Sequence, residues 1–282
     1  MDTAAPDSEE QTRAFQLAPM QESMLFHWLR GDCPGIDVEQ ISWRMNGVDI
    51  PRFIQAWGML LERTPALRLK FIWEGVSAPL QVPDNEAKLV TLVEDIRGKS
   101  AAEQRTQFES YTARDRAKKF DLGVAPLFRL AFFRTSDDEV LCLWTLHHII
   151  LDGRGFVLVL RELFDVYRAL ETGSPVAAPK NATYESYIKW LQRQDCSQAL
   201  TYWKKQLLGY EAPAFPDLGA VWTGATPDEY AQQQRRLNLQ ATERLKAFAR
   251  ANELTVNTLV QGAWALMLGR YANLDDVVFG ST

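Results

Sequence analysis

The sequence predicts an α/β protein organised as two lobes. Segments whose apolar residues recur every three or four positions are interleaved with segments where they alternate or run continuously, the patterns of helices and of half-buried or buried strands. One stretch in the middle of the chain, residues 172–183 (TGSPVAAPKNAT), is rich in Gly, Pro, Ser and Ala and reads as a boundary. With 282 residues there is chain enough for one large domain or for two lobes that each bury a core. The expected organisation is a loose leader or linker at 1–14, an N-terminal lobe at 15–172, an inter-lobe linker at 173–183 and part of a C-terminal lobe at 184–282.

In chain order, Ala18 to Leu29 opens with Pro19, tolerated in a first helical turn because its missing N–H would have no partner there. It places Met20, Met24, Leu25 and Trp28 on one face, read as core. Ile41 to Val48 reads as a strand. Asp49 and Pro51 start a second helix striped by Phe53, Trp57, Leu60 and Leu61. From Ala66 to Phe71, Leu67, Leu69 and Phe71 alternate with Arg68 and Lys70, a half-buried strand. Ser100 and Glu103 form a capping box ahead of a long polar helix that ends in Lys118 and Lys119. Leu127 to Phe133 and Val140 to Leu146, joined through Ser136, Asp137 and Asp138, read as a hairpin. A helix from about Gly155 to Leu170 follows, striped by Phe156, Val159, Leu160, Leu163, Tyr167 and Leu170 and stopped at Gly173. Beyond the boundary, helices are expected near Tyr184–Gln194, Ser197–Leu208, Ala241–Ala251 and Thr255–Tyr271, with strands at Tyr230–Leu239 and Asp276–Gly280. Because the chain halts on that last apolar segment, the second lobe reads as cut short.

Composition excludes several classes. Hydrophobic residues at 46% and charged residues at 24% rule out disorder over most of the length. A net charge of -5 is the wrong sign for a nucleic-acid partner held by its phosphates. No apolar run approaches the ~20 residues of a bilayer crossing, and the acidic first fourteen residues lack the apolar core of a secretory signal. Cys33, Cys142 and Cys196 are odd in number and too far apart for a disulfide framework or a zinc site, which suits a reducing cytosol. The expected location is cytoplasmic, with neither nucleic acid nor membrane as a partner.

Two of the three histidines are neighbours, His147 and His148, in LHHIILDGRG, directly after the buried strand. Adjacent strand residues point to opposite faces, so one ring is expected in the core and the other in the space beyond the strand end. Asp152 can reach back to lock a ring or a nearby arginine, and Gly153 lets backbone approach closely. A metal site lacks ligands, since His27 is the only other histidine. Surface decoration is the plainer reading, and the bunching of two histidines, an Asp and a Gly after an apolar strand counts against it. Gly75 to Pro79 stops short of a nucleophile elbow, Gly98-Lys99-Ser100 lacks the upstream glycine of a phosphate loop, and Gly153-Arg154-Gly155 lacks the third glycine of a dinucleotide fingerprint. What remains is a proton-handling group that acts on an attacking substrate directly.

LHHIILDG resembles the HHxxxDG motif of the condensation domains of nonribosomal peptide synthetases, a superfamily with the chloramphenicol-acetyltransferase-like fold. LAPMQESMLFH (Leu17–His27) resembles the family's first motif, in the variant typical of domains that receive a D-configured donor, and RTPALRLKF (Arg63–Phe71) resembles the second. FDLGVAPLFRL (Phe120–Leu130), TYESYIKWLQRQD (Thr183–Asp195), TYWKKQLLGYEAP (Thr201–Pro213) and DDVVFGST (Asp275–Thr282) resemble further family segments in the family's order. The resemblance spans nearly the whole chain. It departs at Thr64 and Pro65, where the second motif usually has His-Glu, and at Arg154 and Gly155, which replace a common Trp-Ser. The family's later second-lobe motifs are missing from the resemblance, because the sequence ends at Thr282 first.

The resemblance implies a two-lobe chloramphenicol-acetyltransferase-like fold with the N-terminal lobe complete and the C-terminal lobe partial. It implies amide-bond formation between a donor acyl or peptidyl thioester and the amine of an acceptor aminoacyl thioester. Both substrates ride on phosphopantetheine arms of upstream and downstream peptidyl carrier proteins, which enter a tunnel between the lobes beside adjacent synthetase domains; no intrinsic cofactor is implied. His148 would face the tunnel and take a proton from the amine or hold it in place, and His147 would be its packed support. Asp152 would pair with an arginine, either Arg63 or Arg68. Gly153 would offer its N–H to the developing oxyanion. Trp203 matches a family position near the site and fits a core aromatic equally well; His27 is expected to be inert. Two alternatives share the resemblance: an epimerisation domain, against which PMQESMLFH counts, and a noncatalytic recruitment module, against which the intact histidine motif counts. With much of the tunnel wall lacking, the chain by itself is expected to turn over weakly or not at all.

Overall fold

The computed structural model describes residues 13–31, 37–178, 183–210 and 234–281. Nearly all of the expected 1–14 leader lies outside the described residues, as do Cys33, four residues of the expected linker and the first four of the expected Tyr230–Leu239 strand. The chain divides into two compact units, Met1–Gln194 and Asp195–Thr282.

Among the described residues, the first unit contains in order β1 (Phe15–Gln16), α1 (Pro19–Arg30), β2 (Val38–Asn46), α2 (Ile50–Arg63), a 3-10 turn (Pro65–Arg68), β3 (Leu69–Ile72), β4 (Leu80–Pro83), β5 (Thr91–Asp95) and α3 (Ala101–Ala117). It continues with β6 (Phe128–Arg134), β7 (Glu139–His147), a second 3-10 turn (His148–Ile150), α4 (Gly153–Thr172) and α5 (Tyr184–Leu191). The second unit contains α6 (Ser197–Gln206), α7 (Leu239–Ala251) and α8 (Val256–Ala272).

A mixed sheet of order β2-β7-β6-β5 forms the centre of the first unit, with only the β5–β6 pair parallel. A smaller antiparallel sheet has the order β1-β4-β3. The two-residue period of β6 and β7 decides what each face of the large sheet meets. Phe128, Leu130, Phe132, Cys142, Trp144 and Leu146 join the apolar stripes of α2 and α4 in the main core. Ala131, Phe133 and Leu143 turn the other way and meet Phe108 and Tyr111 of α3. Helices therefore cover both faces, and this explains why β6 and β7 are apolar almost throughout.

Local signals set most helix ends. Asp49 caps α2 by accepting from the Arg52 N–H at 3.0 Å, and the stripe Phe53, Trp57, Leu60 and Leu61 is buried. The capping box forms: the Ser100 N–H donates to Glu103 Oε2 at 2.8 Å and the Glu103 N–H to Ser100 Oγ at 3.4 Å. Gly173, at φ 66°, ends α4 in the left-handed region that glycine enters without a Cβ clash. Trp57 is fully buried and meets Trp144 at 5.1 Å between ring centroids. Trp57→Ala is expected to cost about 3–5 kcal/mol, read from the denaturant midpoint of the chain; a loss under about 1 kcal/mol would mean that this core is not built around the indole.

Three local expectations are corrected. The segment from Ala66 to Phe71 buries Leu67, Leu69 and Phe71 as expected, but its first half is a 3-10 turn and strand pairing begins at Leu69. Pro65 starts that turn, since its fixed φ suits a helical first position. Met20 is 68% exposed, and the buried α1 positions are Gln21 and Leu25. Neither strand expected in the second unit forms among the described residues: 234–238 and 276–280 are not strand, and Leu239 already begins α7. In the second unit the expected helices form, with side-chain caps from Asn238 on α7 and Thr255 on α8. Helix α5 belongs to the first unit, where Ile188 is buried and Gln192 Nε2 donates to Gln16 Oε1 at 2.8 Å.

Candidate active site

The end of β7 delivers the histidine pair, and backbone hydrogen bonds clamp it on both sides. The His147 N–H donates to the Leu127 carbonyl at 2.9 Å, and the His148 N–H to the Asp37 carbonyl at 2.7 Å. His147 is buried, with the Phe120 ring edge-on at 6.2 Å. Its Nδ1 accepts the Ile149 N–H at 3.2 Å. An accepting Nδ1 carries no proton, so the neutral ring holds its proton on Nε2.

Burial, helped by the neighbouring His148, pushes the His147 pKa down to about 4. The unfolded chain protonates this ring near the ordinary value of about 6.5, and the folded chain refuses the proton until about pH 4. Stability is therefore complete above pH 6.5 and falls as the pH drops toward 4, by about 3 kcal/mol at most. His147→Asn, which keeps an acceptor near the Nδ1 position, is expected to show a flatter fall between pH 7 and 4.5 in denaturant titrations. Equal slopes for the two proteins would refute this.

His148 begins the 3-10 turn and is half-buried, its ring tilted against Phe156 at 5.8 Å. Its Nδ1 lies 2.6 Å from the Leu151 carbonyl oxygen. A carbonyl can only accept, so Nδ1 carries a proton, and in the neutral ring the lone pair is then on Nε2. As neutral imidazoles the two adjacent rings are opposite tautomers. Asp37, whose carbonyl anchors His148, has its carboxyl pushed up from the ordinary range by burial; the imidazoles of His27 and His148 partly offset this.

Asp152 is the N-cap of α4. Its Oδ1 accepts the Gly155 N–H at 2.6 Å. A Cβ on Gly155 would sit 3.2 Å from that oxygen and 3.1 Å from Leu151 Cδ2, so glycine at this position lets the cap close tightly. The expected Asp152–arginine ion pair is corrected: among the described residues it forms with neither candidate. Arg63 lies 3.0 Å through Nε from Glu162 Oε1 of α4 and donates through Nη2 to the Ala177 carbonyl. Arg68 donates to Asn85 Oδ1 at 2.6 Å. Asp152 is turned toward the helix end, and a carboxylate further along α4 meets Arg63 in its place. Gly153 is the first residue of α4, and a Cβ there would meet no protein atom within 4 Å. The fold itself does not require glycine at 153. Trp203, on α6 of the second unit, is 58% exposed and stands edge-on to Tyr202, so it is not a core aromatic.

Sequence reasoning does not reveal a buried amide pair. Gln21 and Gln81 exchange two hydrogen bonds, Nε2 of each to Oε1 of the other, both at 2.9 Å. The second N–H of Gln21 donates to the Ile149 carbonyl at 3.0 Å, inside the turn that follows His148. Gln21 lies four residues before Leu25, on the same helix face, and that spacing is the signal that marks it as buried. Equally hidden from the sequence is the Asp115–Arg129 ion pair, 2.6 Å long and almost wholly buried. Its guanidinium lies 4.1 Å from the centre of the Phe120 ring that touches His147. Among the described residues, no group of three His, Cys, Asp or Glu could hold a metal ion, and no helix is long and apolar enough to cross a membrane.

A family model described as Condensation domain matches residues 11–282. A linear gramicidin synthase of Brevibacillus parabrevis has a polypeptide that is 40% identical over 270 residues, which cover 95% of this chain and 4% of that protein. Bacitracin synthase 1 of Bacillus licheniformis is 32% identical over 272 residues, 95% of this chain and 5% of that protein. The chain therefore spans only a small part of these relatives. Among solved structures, the first condensation domain of the calcium-dependent antibiotic synthetase, in complex with a substrate analogue, superposes with a TM-score of 0.74 at 19% identity; the match covers 94% of this chain and 63% of that one. The starter condensation domain of rhizomide synthetase gives 0.71 at 21% identity, over 96% and 61%. These likenesses show the two-lobe α/β fold.

Proposed function

Because the chain belongs to the condensation-domain family of nonribosomal peptide synthetases, we propose that it joins a donor acyl or peptidyl thioester to the amine of an acceptor aminoacyl thioester. The observation that carries this reading is the 2.6 Å contact between His148 Nδ1 and the Leu151 carbonyl, which in the neutral, half-buried ring leaves the lone pair on Nε2. The neutral amine attacks the thioester carbonyl carbon; the C–N bond forms, the C–S bond breaks, and the nitrogen sheds a proton as the phosphopantetheine sulfur leaves. Nε2 of His148 accepts the amine's hydrogen bond and takes that proton, which then passes to the departing thiolate. The reaction balances in atoms and electrons without an intrinsic cofactor. Gly153, at the start of the 20-residue α4, presents an N–H with no intrahelical partner toward which an oxyanion would turn.

In this reading upstream and downstream carrier proteins bring the substrates, adjacent synthetase domains flank the chain, and the reaction takes place in the cytosol. A D-configured donor is proposed from the PMQESMLFH segment, and Trp203 is kept as a supporting residue from the family position it matches. The test uses the intact protein with separately loaded donor and acceptor carriers, and mass spectrometry of the acceptor arm. An amide on that arm is the expected result. Absence of the amide overturns the reading, and an inverted donor α-carbon without an amide selects epimerisation instead.

A further inference from the structure

The turn that carries His148 is short, and its ring orientation depends on where the backbone of Ile149 to Leu151 lies. His148 Nδ1 bonds to the carbonyl of Leu151, three residues on. Ile149 stands between them with both of its backbone groups engaged: its N–H meets His147 Nδ1 and its carbonyl meets Gln21 Nε2. The contact from Gln21 comes from an element 128 residues away in sequence.

We propose that Gln21 is a positioning residue for His148, acting through the Ile149 carbonyl with Gln81 and Tyr184 as its supports. The inference rests on the amide-forming reading given above. Every donor of the two glutamines is used. Gln21 donates to Gln81 and Ile149; Gln81 donates to Gln21 and the Gln16 carbonyl. Gln21 Oε1 also accepts from the Ala18 N–H at 2.9 Å and from the Tyr184 hydroxyl at 3.2 Å. Burial, with the nearby Tyr187 and Asp152, pushes the Tyr184 phenol up to about 12, so it stays a donor throughout the physiological range. Gln21 is 5% exposed and Gln81 fully buried. A satisfied network of this kind has one low-energy arrangement, because any displacement strands a polar atom away from water. The amide of Gln21 therefore cannot move unless α1, β4, α5 and the histidine turn move together.

The experiment replaces Gln21 in two ways. Gln21→Glu is nearly isosteric and keeps the acceptor side, but an ionised carboxylate cannot donate to Ile149. Gln21→Met keeps the volume and removes every hydrogen bond. Two readouts are taken on the intact protein: kcat and KM for amide formation between loaded carriers, and the imidazole 15N shifts of the histidine-labelled chain. The chain has three histidines, so His148→Asn identifies which signals belong to residue 148. The expected result is a fall in kcat of about 10- to 100-fold, with KM changed less than about twofold. It is accompanied by a shift of the His148 nitrogens away from the Nδ1–H pattern. Folded variants with wild-type kcat and an unchanged His148 signature overturn the inference. If both variants fail to fold, Tyr184→Phe, which removes one support and no donor of Gln21, must still shift the His148 signals, or the inference fails. If the wild type itself forms no amide, the functional reading falls, and the 15N response still decides whether Gln21 sets the tautomer of His148.

Discussion

His148→Ala is expected to slow amide formation by about 10²–10⁴-fold at saturating carriers, the range for loss of a positioned general base, without unfolding the protein. The ring is half-buried and packs on Phe156 alone among the described aromatic rings, so its removal costs little of the core. What the variant loses is the imidazole lone pair that the turn presents on an oriented nitrogen, Nε2. A residual rate is expected, because holding two thioesters together supplies a large part of the acceleration by itself. His148→Gln separates two contributions. Its amide can accept a hydrogen bond from the amine but takes up no proton, so recovery toward wild type would assign the effect to orientation. Single-turnover formation of the amide on the acceptor arm measures both. Undiminished product from His148→Ala would remove the residue from the mechanism.

Asp115→Ala is expected to destabilise the fold by about 3–5 kcal/mol, the cost of leaving a buried charge unpaired. Arg129 Nε lies 2.6 Å from Asp115 Oδ1, with side-chain exposures of 9% and 6%. Its Nη2 donates to the carbonyls of Asp115 and Lys118, and so ties the end of α3 to β6. The alanine variant leaves the guanidinium in place with carbonyls and the Phe120 ring as its remaining partners. The double variant Asp115→Ala with Arg129→Met should recover much of the loss, since it deletes both charges. Denaturant unfolding of the wild type and both variants checks this. A single variant within about 1 kcal/mol of wild type would show that the carboxylate compensates no charge.

Much of the first unit is legible in the sequence because its signals are local. The Ser100–Glu103 box, the Asp49 cap, the α2 stripe and the β6–β7 hairpin each depend on residues within a few positions of one another, and each forms. The histidine motif is found in the same way, as a bunching of polar residues after an apolar strand. Met20 reads as core because hydrophobicity alone ranks it above Gln21, and nothing near Gln21 in the chain reveals that Gln81 will satisfy its amide. Arg63, one of the two arginines expected to meet Asp152, lies against the carboxylate of Glu162 instead.

The chain by itself determined where most helices begin, which strand leads into the two imidazoles, and which glycine stops α4, since backbone propensity, side-chain period and capping act over one or two turns; the short strands β1, β4 and β5 carry no such local signal. Only the tertiary structure decided which carboxylate meets Arg63 and which polar side chains enter the core. The glutamine network shows why: it joins atoms from positions 60 and 128 residues apart, where a hydrogen bond exists only once the packing has set both ends in place.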